Sequence, residues 1–200
     1  MARLRLKDLR DLGVAVLHPQ DADGSLMLDQ LKRIGCRTEA HWPPPKSLPN
    51  HADIVFAAIS RDHHAALMAM LRKGGAPQPA VIAVVDYENP AMLQLVLESG
   101  ALAVVSKPVR PFGILTNLVI ARDAWLQMQE LNGKIRKLES RLAGQKKVAK
   151  AKSILMENQG ISEQAAYRTI RAQAMAKRIP IEEMAVAIIN ANELLSSRLD

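Results

Sequence analysis

Residues Asp53 to Ile59 read DIVFAAI, and all of them after the aspartate are apolar. A strand with one face in water alternates apolar and polar residues; a strand that is apolar throughout must be covered on both faces. Ala80 to Val85 (AVIAVV) repeats the pattern, and shorter apolar runs lie at Val14 to Leu17, ending at His18-Pro19, and at Ala101 to Val105. Thr38 to Trp42 is a further candidate strand, placed before Pro43-Pro44-Pro45, a rigid extended segment with no amide donors. Helical spacing fills the gaps. Leu26, Met27, Leu31 and Ile34 share one face within Ser25 to Ile34, closed by Gly35; His63 to Lys73 ends at Gly74-Gly75; Pro90 to Glu98 completes the set. Strands alternating with helices predict a parallel, doubly wound α/β sheet of the flavodoxin-like kind, with five β/α units over residues 1–120. The balance of 48% hydrophobic but only 3% aromatic residues favours buried parallel strands and helices over a sandwich.

Past Leu115 the period changes to heptads. Ala121, Ala124, Met128, Leu131, Ile135, Leu138 and Leu142 step by three and four. Ile135 at position a, with Leu131 and Leu138 at d, is the combination that favours a parallel two-stranded coil, and residues 121–147 form the dimerisation helix. Lys134 at g then meets Glu139 at e of the partner helix, whereas Arg141 meets Lys146 and is repelled, so the seam weakens toward its C-terminal end. Gly133 falls at f, on the outside. The other use of such a stripe is to fold back on its own domain; a span of more than three heptads favours the homodimer.

Residues 148–200 read as the end of that helix and two more. Gly160 closes the first, Ser162 caps the second with Glu163 behind it, and Pro180 opens the third before Glu182 and Glu183. Ala151, Ala166, Ala174 and Ala185 sit on the apolar faces, where alanine lets helix axes approach closely. From Lys134 to Arg178 there are twelve Lys and Arg against three Glu, whereas Met1 to Gly133 is nearly neutral, with fourteen against thirteen acidic. A basic patch raises affinity for a phosphate backbone by releasing counterions. Solubility alone also makes helices basic, and a helical adaptor would show the same periodicity.

Ala151-Lys152-Ser153-Ile154-Leu155-Met156, Gly160, Ser162-Glu163, Ala166-Tyr167, Ile170-Arg171, Ala174 and Met184-Ala185 together resemble the ANTAR family, the RNA-binding antitermination modules at the ends of some response regulators. Ser153 stands where glycine is usual and Ile170 where leucine is usual. The resemblance implies binding to leader-RNA hairpins that compete with a transcription terminator. The candidate contacts are Lys150 and Lys152 near the end of the long helix, and Arg168 and Arg171, which share a face of the next helix. Ala166, Ile170 and Ala174 point inward. Tyr167, the one aromatic of the module, either stacks on a base or closes the bundle; a bundle with so few large side chains favours closing it.

The N-terminal β/α units resemble the response-regulator receiver domain, with DIVFAAI and Ser106-Lys107-Pro108 setting the register. That register exposes losses. Phosphoryl transfer needs a carboxylate nucleophile, acids to hold magnesium, and a lysine. Here the nucleophile position is Ala58, the acid pair is replaced by His18-Pro19, the hydroxyl position is Val85, and Lys107 alone survives. His18, Ala58, Val85 and Lys107 thus form a degenerate phosphoacceptor pocket, and the domain is a pseudo-receiver. Asp21, Asp23 and Asp86 are the nearest substitutes for the lost acids, and read as loop and cap residues rather than a metal site. His63 and His64 diverge on a helix, and with Glu88 they complete no catalytic set, so neither an enzyme nor a cofactor is expected.

Arg33-Ile34-Gly35-Cys36, Trp42-Pro43-Pro44-Pro45 and Tyr87 to Ala91 also resemble antitermination regulators of the amidase-operon type, which join a pseudo-receiver, a coiled coil and an ANTAR module in this order. This implies a small-molecule sensor protein of the periplasmic-binding-protein fold that holds the regulator inactive until inducer arrives. The Trp42 segment is either a docking edge for it or a packed connection. No apolar run reaches the ~20 residues of a membrane span, and the basic N-terminus lacks the apolar core of a signal peptide, which predicts a cytoplasmic protein. Lone Cys36 reads as a small buried hydrophobe. The competing function is a DNA-binding response-regulator-type transcription factor, with Gln164, Arg168, Arg171 and Gln173 reading base edges.

Overall fold

The computed structural model describes residues 6–48, 51–73, 78–86 and 90–196. Two compact units divide the chain, Met1–Glu130 and Leu131–Asp200.

In the first unit a 3-10 turn, Leu6–Leu9, leads into β1 (Gly13–Leu17), α1 (Ala22–Ile34), β2 (Arg37–Ala40), β3 (Ile54–Ala58), α2 (Arg61–Lys73), β4 (Ala80–Val85), α3 (Pro90–Glu98) and β5 (Ala103–Ser106). The sheet order is β2-β1-β3-β4-β5, and every pair is parallel. Alternation along each strand feeds two cores. Val14, Val16, Ile54, Phe56, Ile82 and Val84 pack under α1 and the start of α4 (Pro111–Gln159) with Met27, Leu31, Ile114 and Leu118. Ala15, Leu17, Val55, Ala57, Val81, Ala83 and Val85 face α2 and α3 with Leu67, Met70 and Val96. Both faces are covered, as the unbroken apolar runs require.

Three expectations are corrected here. Helix α1 begins at Ala22 rather than Ser25, because the Asp21 carboxylate accepts the Gly24 amide at 2.8 Å and caps the helix earlier. The β2–β3 connection carries no helix among its described residues, so the second β/α unit is missing. Pro43, Pro44 and Pro45 lack the amides a helix needs; Leu48 and Ala52 pack on the sheet in its place. The partly buried Trp42 ring lies 4.6 Å from that of His63 in the first turn of α2, so this side of the segment packs against that helix. Thirdly, Ala121 is fully buried against the sheet instead of opening the heptad stripe. Beyond it, Arg122 pairs with Asp53 at 3.4 Å, and the Trp125 indole donates to the Gln78 carbonyl at 2.6 Å. Gly74-Gly75, Tyr87 and Glu88 lie outside the described residues.

Cys36 is buried, its thiol donating weakly to the Leu9 carbonyl at 3.5 Å. Burial pushes the thiol up to about 11. An alkylating reagent at pH 8 is therefore expected to leave the native protein unlabelled and to modify it once in urea, as read by intact mass. Rapid labelling without denaturant would contradict the burial.

The second unit holds the rest of α4, α5 (Glu163–Lys177) and α6 (Ile181–Ser196). Its core is Ala151, Ile154, Leu155, Ala166, Ile170, Ala174, Met184, Ala185 and Ile189. All four alanines singled out by their spacing are buried. Gly160 ends α4 at φ +63, a left-handed position that glycine takes without steric cost. Ser162 caps α5 by accepting the Ala165 amide, and the Pro180 carbonyl accepts the first amides of α6, from Glu183 and Met184.

Candidate nucleic-acid interface

With Ala166, Ile170 and Ala174 committed to the core, the opposite side of α5 presents Gln164, Tyr167, Arg168, Arg171 and Met175. Tyr167 is 43% exposed and Met175 69%. This overturns the expectation that Tyr167 closes the bundle. Ile154, Leu155, Ile170 and Met184 with the close-packed alanines already fill the interior, and leave the phenol ring outside. Tyr167, Arg171 and Met175 follow one another at helical spacing, a signal that would have identified Met175 from sequence alone.

Lys152 reaches the same side and hydrogen-bonds Glu163 at the start of α5. That bond, then the lysine's charge, lowers the Glu163 carboxyl below its ordinary range. The pair therefore persists at neutral pH and dissolves only as the pH falls through that lowered value. Lys152, Glu163, Gln164, Tyr167 and Arg168 line an open depression of about 480 Å³. Arg168 and Arg171 have no carboxylate partner among the described residues. Lys150 is not part of this face. Two residues from Lys152, it points the other way and pairs with Glu193 of α6 at 2.9 Å. The departures from the usual pattern are absorbed: Ser153 returns its hydroxyl to the Ala149 carbonyl at 3.3 Å, and Ile170 is fully buried.

Along α4, Met128, Leu131, Ile135, Leu138 and Leu142 are 46%, 56%, 50%, 65% and 54% exposed, and Ala124 is partly exposed. A monomer gains nothing by displaying such a row of large apolar side chains at heptad spacing.

At the C-terminal ends of the strands, the positions expected to form a degenerate phosphoacceptor pocket have their own counterions. Lys107 sits 2.9 Å from Asp86 and 3.9 Å from Asp21. His18 is buried, donating from Nδ1 to the Pro19 carbonyl at 2.9 Å, with Asp21 3.4 Å away. Burial raises the Asp21 carboxyl, but the Gly24 amide, His18 and Lys107 outweigh it and bring it below its ordinary value. Asp23 accepts the Val109 amide at 2.8 Å. The three acids are thus engaged as a cap, a lysine counterion and a backbone acceptor. Ala58 ends β3 and the buried Val85 ends β4. His63 meets Ser60 at 3.2 Å while His64 meets Glu98 at 2.9 Å, so the two rings do diverge. Incubation with acetyl phosphate and magnesium is expected to add no mass, since a methyl group replaces the nucleophile; one phosphoryl group stably gained on the first unit would refute the pseudo-receiver reading.

A family profile described as "AmiR, N-terminal" matches residues 12–122, and one for the ANTAR domain matches residues 136–189. The chain is 35% identical over 184 residues to the aliphatic amidase regulator of Pseudomonas aeruginosa, covering 92% of this chain and 94% of that protein. It is 34% identical over 77 residues to the nitrate regulatory protein of Klebsiella oxytoca, covering 38% of this chain and 19% of that one. Among solved structures, NtrX from Brucella abortus shares the fold at a TM-score of 0.51 and 15% identity, over 62% of this chain and 29% of that chain.

Proposed function

We propose, from the premise that this chain belongs to the AmiR family of ANTAR-bearing transcription antitermination regulators, that it acts as a dimer that binds leader-RNA hairpins and prevents the terminator from forming. The observation that carries this is the outer face of α5. There an exposed tyrosine stands among guanidinium groups without carboxylate partners. Hairpin loops are recognised through phosphates and splayed bases that stack on aromatic or guanidinium planes, and this face supplies both. Bases inside a duplex are already stacked and have no use for Tyr167. The exposed α4 stripe of Ala124, Met128, Leu131, Ile135, Leu138 and Leu142 is the dimer seam.

Control falls to a protein partner, because the first unit has no carboxylate at Ala58 for a kinase to use. We assign that role to a ligand-sensing protein of the periplasmic-binding-protein fold, on the resemblance to amidase-operon regulators. The place of action is the cytoplasm, where nascent transcripts are. Among the described residues no helix is long and apolar enough to cross a membrane.

The test is binding of the intact protein to leader-RNA hairpins and to duplex DNA of the same sequence across a salt titration. Hairpin affinity well above duplex affinity, falling steeply with salt, is the expected result. Equal or stronger duplex binding would favour the DNA-reading alternative and sink this one.

A further inference from the structure

We propose that the RNA-binding surface continues beyond the three-helix bundle along the α4 stem, where Lys137 and Arg141 follow the phosphates of the hairpin's paired stem; this rests on the RNA-binding function proposed above. An α-helix repeats every 3.6 residues, so positions eleven apart lie about three turns apart and positions eighteen apart lie about five. Arg141 is eleven residues before Lys152 and Lys134 is eighteen before it. All three therefore fall within about 20° of one line along α4, with Lys137 within roughly 60° of it, and the row spans about 27 Å. All four lie in the second unit. The row leads to Lys152, at the edge of the depression that holds Tyr167.

The charge on this stem is one-sided. From Lys134 to Lys152 there are eight basic residues and one acid, Glu139. Lys150 and Lys152 are used within the bundle, on Glu193 and Glu163. Lys137 and Arg141 are exposed and have no ion pair among the described residues. A solvated coil flank would account for exposure, but not for the sign pattern. Across a parallel seam Arg141 faces Lys146 of the second copy, a like-charge pair that weakens the coil. An acid at either position would stabilise it. The repulsion is relieved when a polyanion lies alongside.

Gln145 is the one amide on this line, and the row otherwise lacks any aromatic or amide side chain with which to read a base, unlike the Tyr167 face. Such a surface neutralises backbone without reading sequence. That suits the A-form stem, whose deep major groove side chains cannot enter. Loop recognition and stem tracking thus fall to different parts of one surface.

The experiment compares the full-length wild type with the Lys137→Ala, Arg141→Ala double variant on two hairpins. One has the leader loop on its full stem; the other has the same loop on a stem trimmed to a few pairs. On the full stem the variant is expected to lose affinity, and its slope of log K against log salt is expected to flatten by about 1.4–1.8, two phosphate contacts' worth. On the trimmed stem it should match wild type. Lys137→Arg combined with Arg141→Lys, which keeps both charges, should retain most of the wild-type slope. An unchanged slope on the full stem overturns the proposal, as does an equal loss on both hairpins, which would place these residues at the loop. A double variant that is no longer a helical dimer by circular dichroism and light scattering is replaced by the Lys137→Gln, Arg141→Gln pair, judged by the same slopes. Wild type that binds neither hairpin would instead defeat the RNA-binding function on which the proposal stands.

Discussion

Leu131→Asp combined with Leu138→Asp is expected to convert the proposed dimer into a folded monomer. Both leucines stand at d positions of the proposed seam, and both are more than half exposed on a single chain. Burying a leucine is worth roughly 1.5–3 kcal/mol, and the double change removes four such side chains from a dimer. The loss is on the order of 6–12 kcal/mol at most, before counting the cost of carboxylates pressed against an apolar partner. A loss of that size shifts the dimer constant by about four to nine powers of ten. The sheet core uses neither residue, so circular dichroism should stay close to wild type. Light scattering reads the mass directly. A dimer that survives would place the main interface on the β/α unit.

The second large effect belongs to α5. Tyr167→Ala is expected to weaken hairpin binding by roughly 5- to 150-fold, the range set by about 1–3 kcal/mol per stacked base. Its thermal midpoint should barely move, since the ring is outside the core. Ile170→Ala, three residues on and fully buried, is the counterpart. It should cost about 2–5 kcal/mol of stability through the cavity it leaves. Tyr167→Phe keeps the stacking plane and should bind nearly as well as wild type. Arg171→Ala is expected to weaken binding less than Tyr167→Ala, and to flatten the salt dependence through one lost phosphate contact. Unfolding caused by Tyr167→Ala would return the ring to the packing role that bundle size had suggested.

Periodicity carried much of this protein by itself. Unbroken apolar runs such as DIVFAAI demand a sheet covered on both faces, and the observed sheet is parallel with two cores. Alanines at helical spacing marked the inner faces of the small bundle, and heptad spacing marked the exposed stripe of α4. These are local properties, set by which residues share a face a few positions apart, and they survive whatever the fold does elsewhere. The positions that sequence misjudged were decided by competition between distant groups. Ala121 fits the heptad stripe and the sheet equally well; the sheet takes it, because Ile114 and Leu118 already dock α4 there. Three prolines announced an extended segment, but only packing shows that Trp42 rests on His63 and that the described residues of the crossover form no helix. Lys150 and Lys152 are interchangeable by composition. Helix α5 supplies Glu163 to one and α6 supplies Glu193 to the other, and so only Lys152 joins the Tyr167 face. Tyr167 itself was judged by its apolar ring, but a side chain is buried only where room remains. Ile154, Leu155, Ile170 and Met184, drawn together from three helices, had already filled the interior.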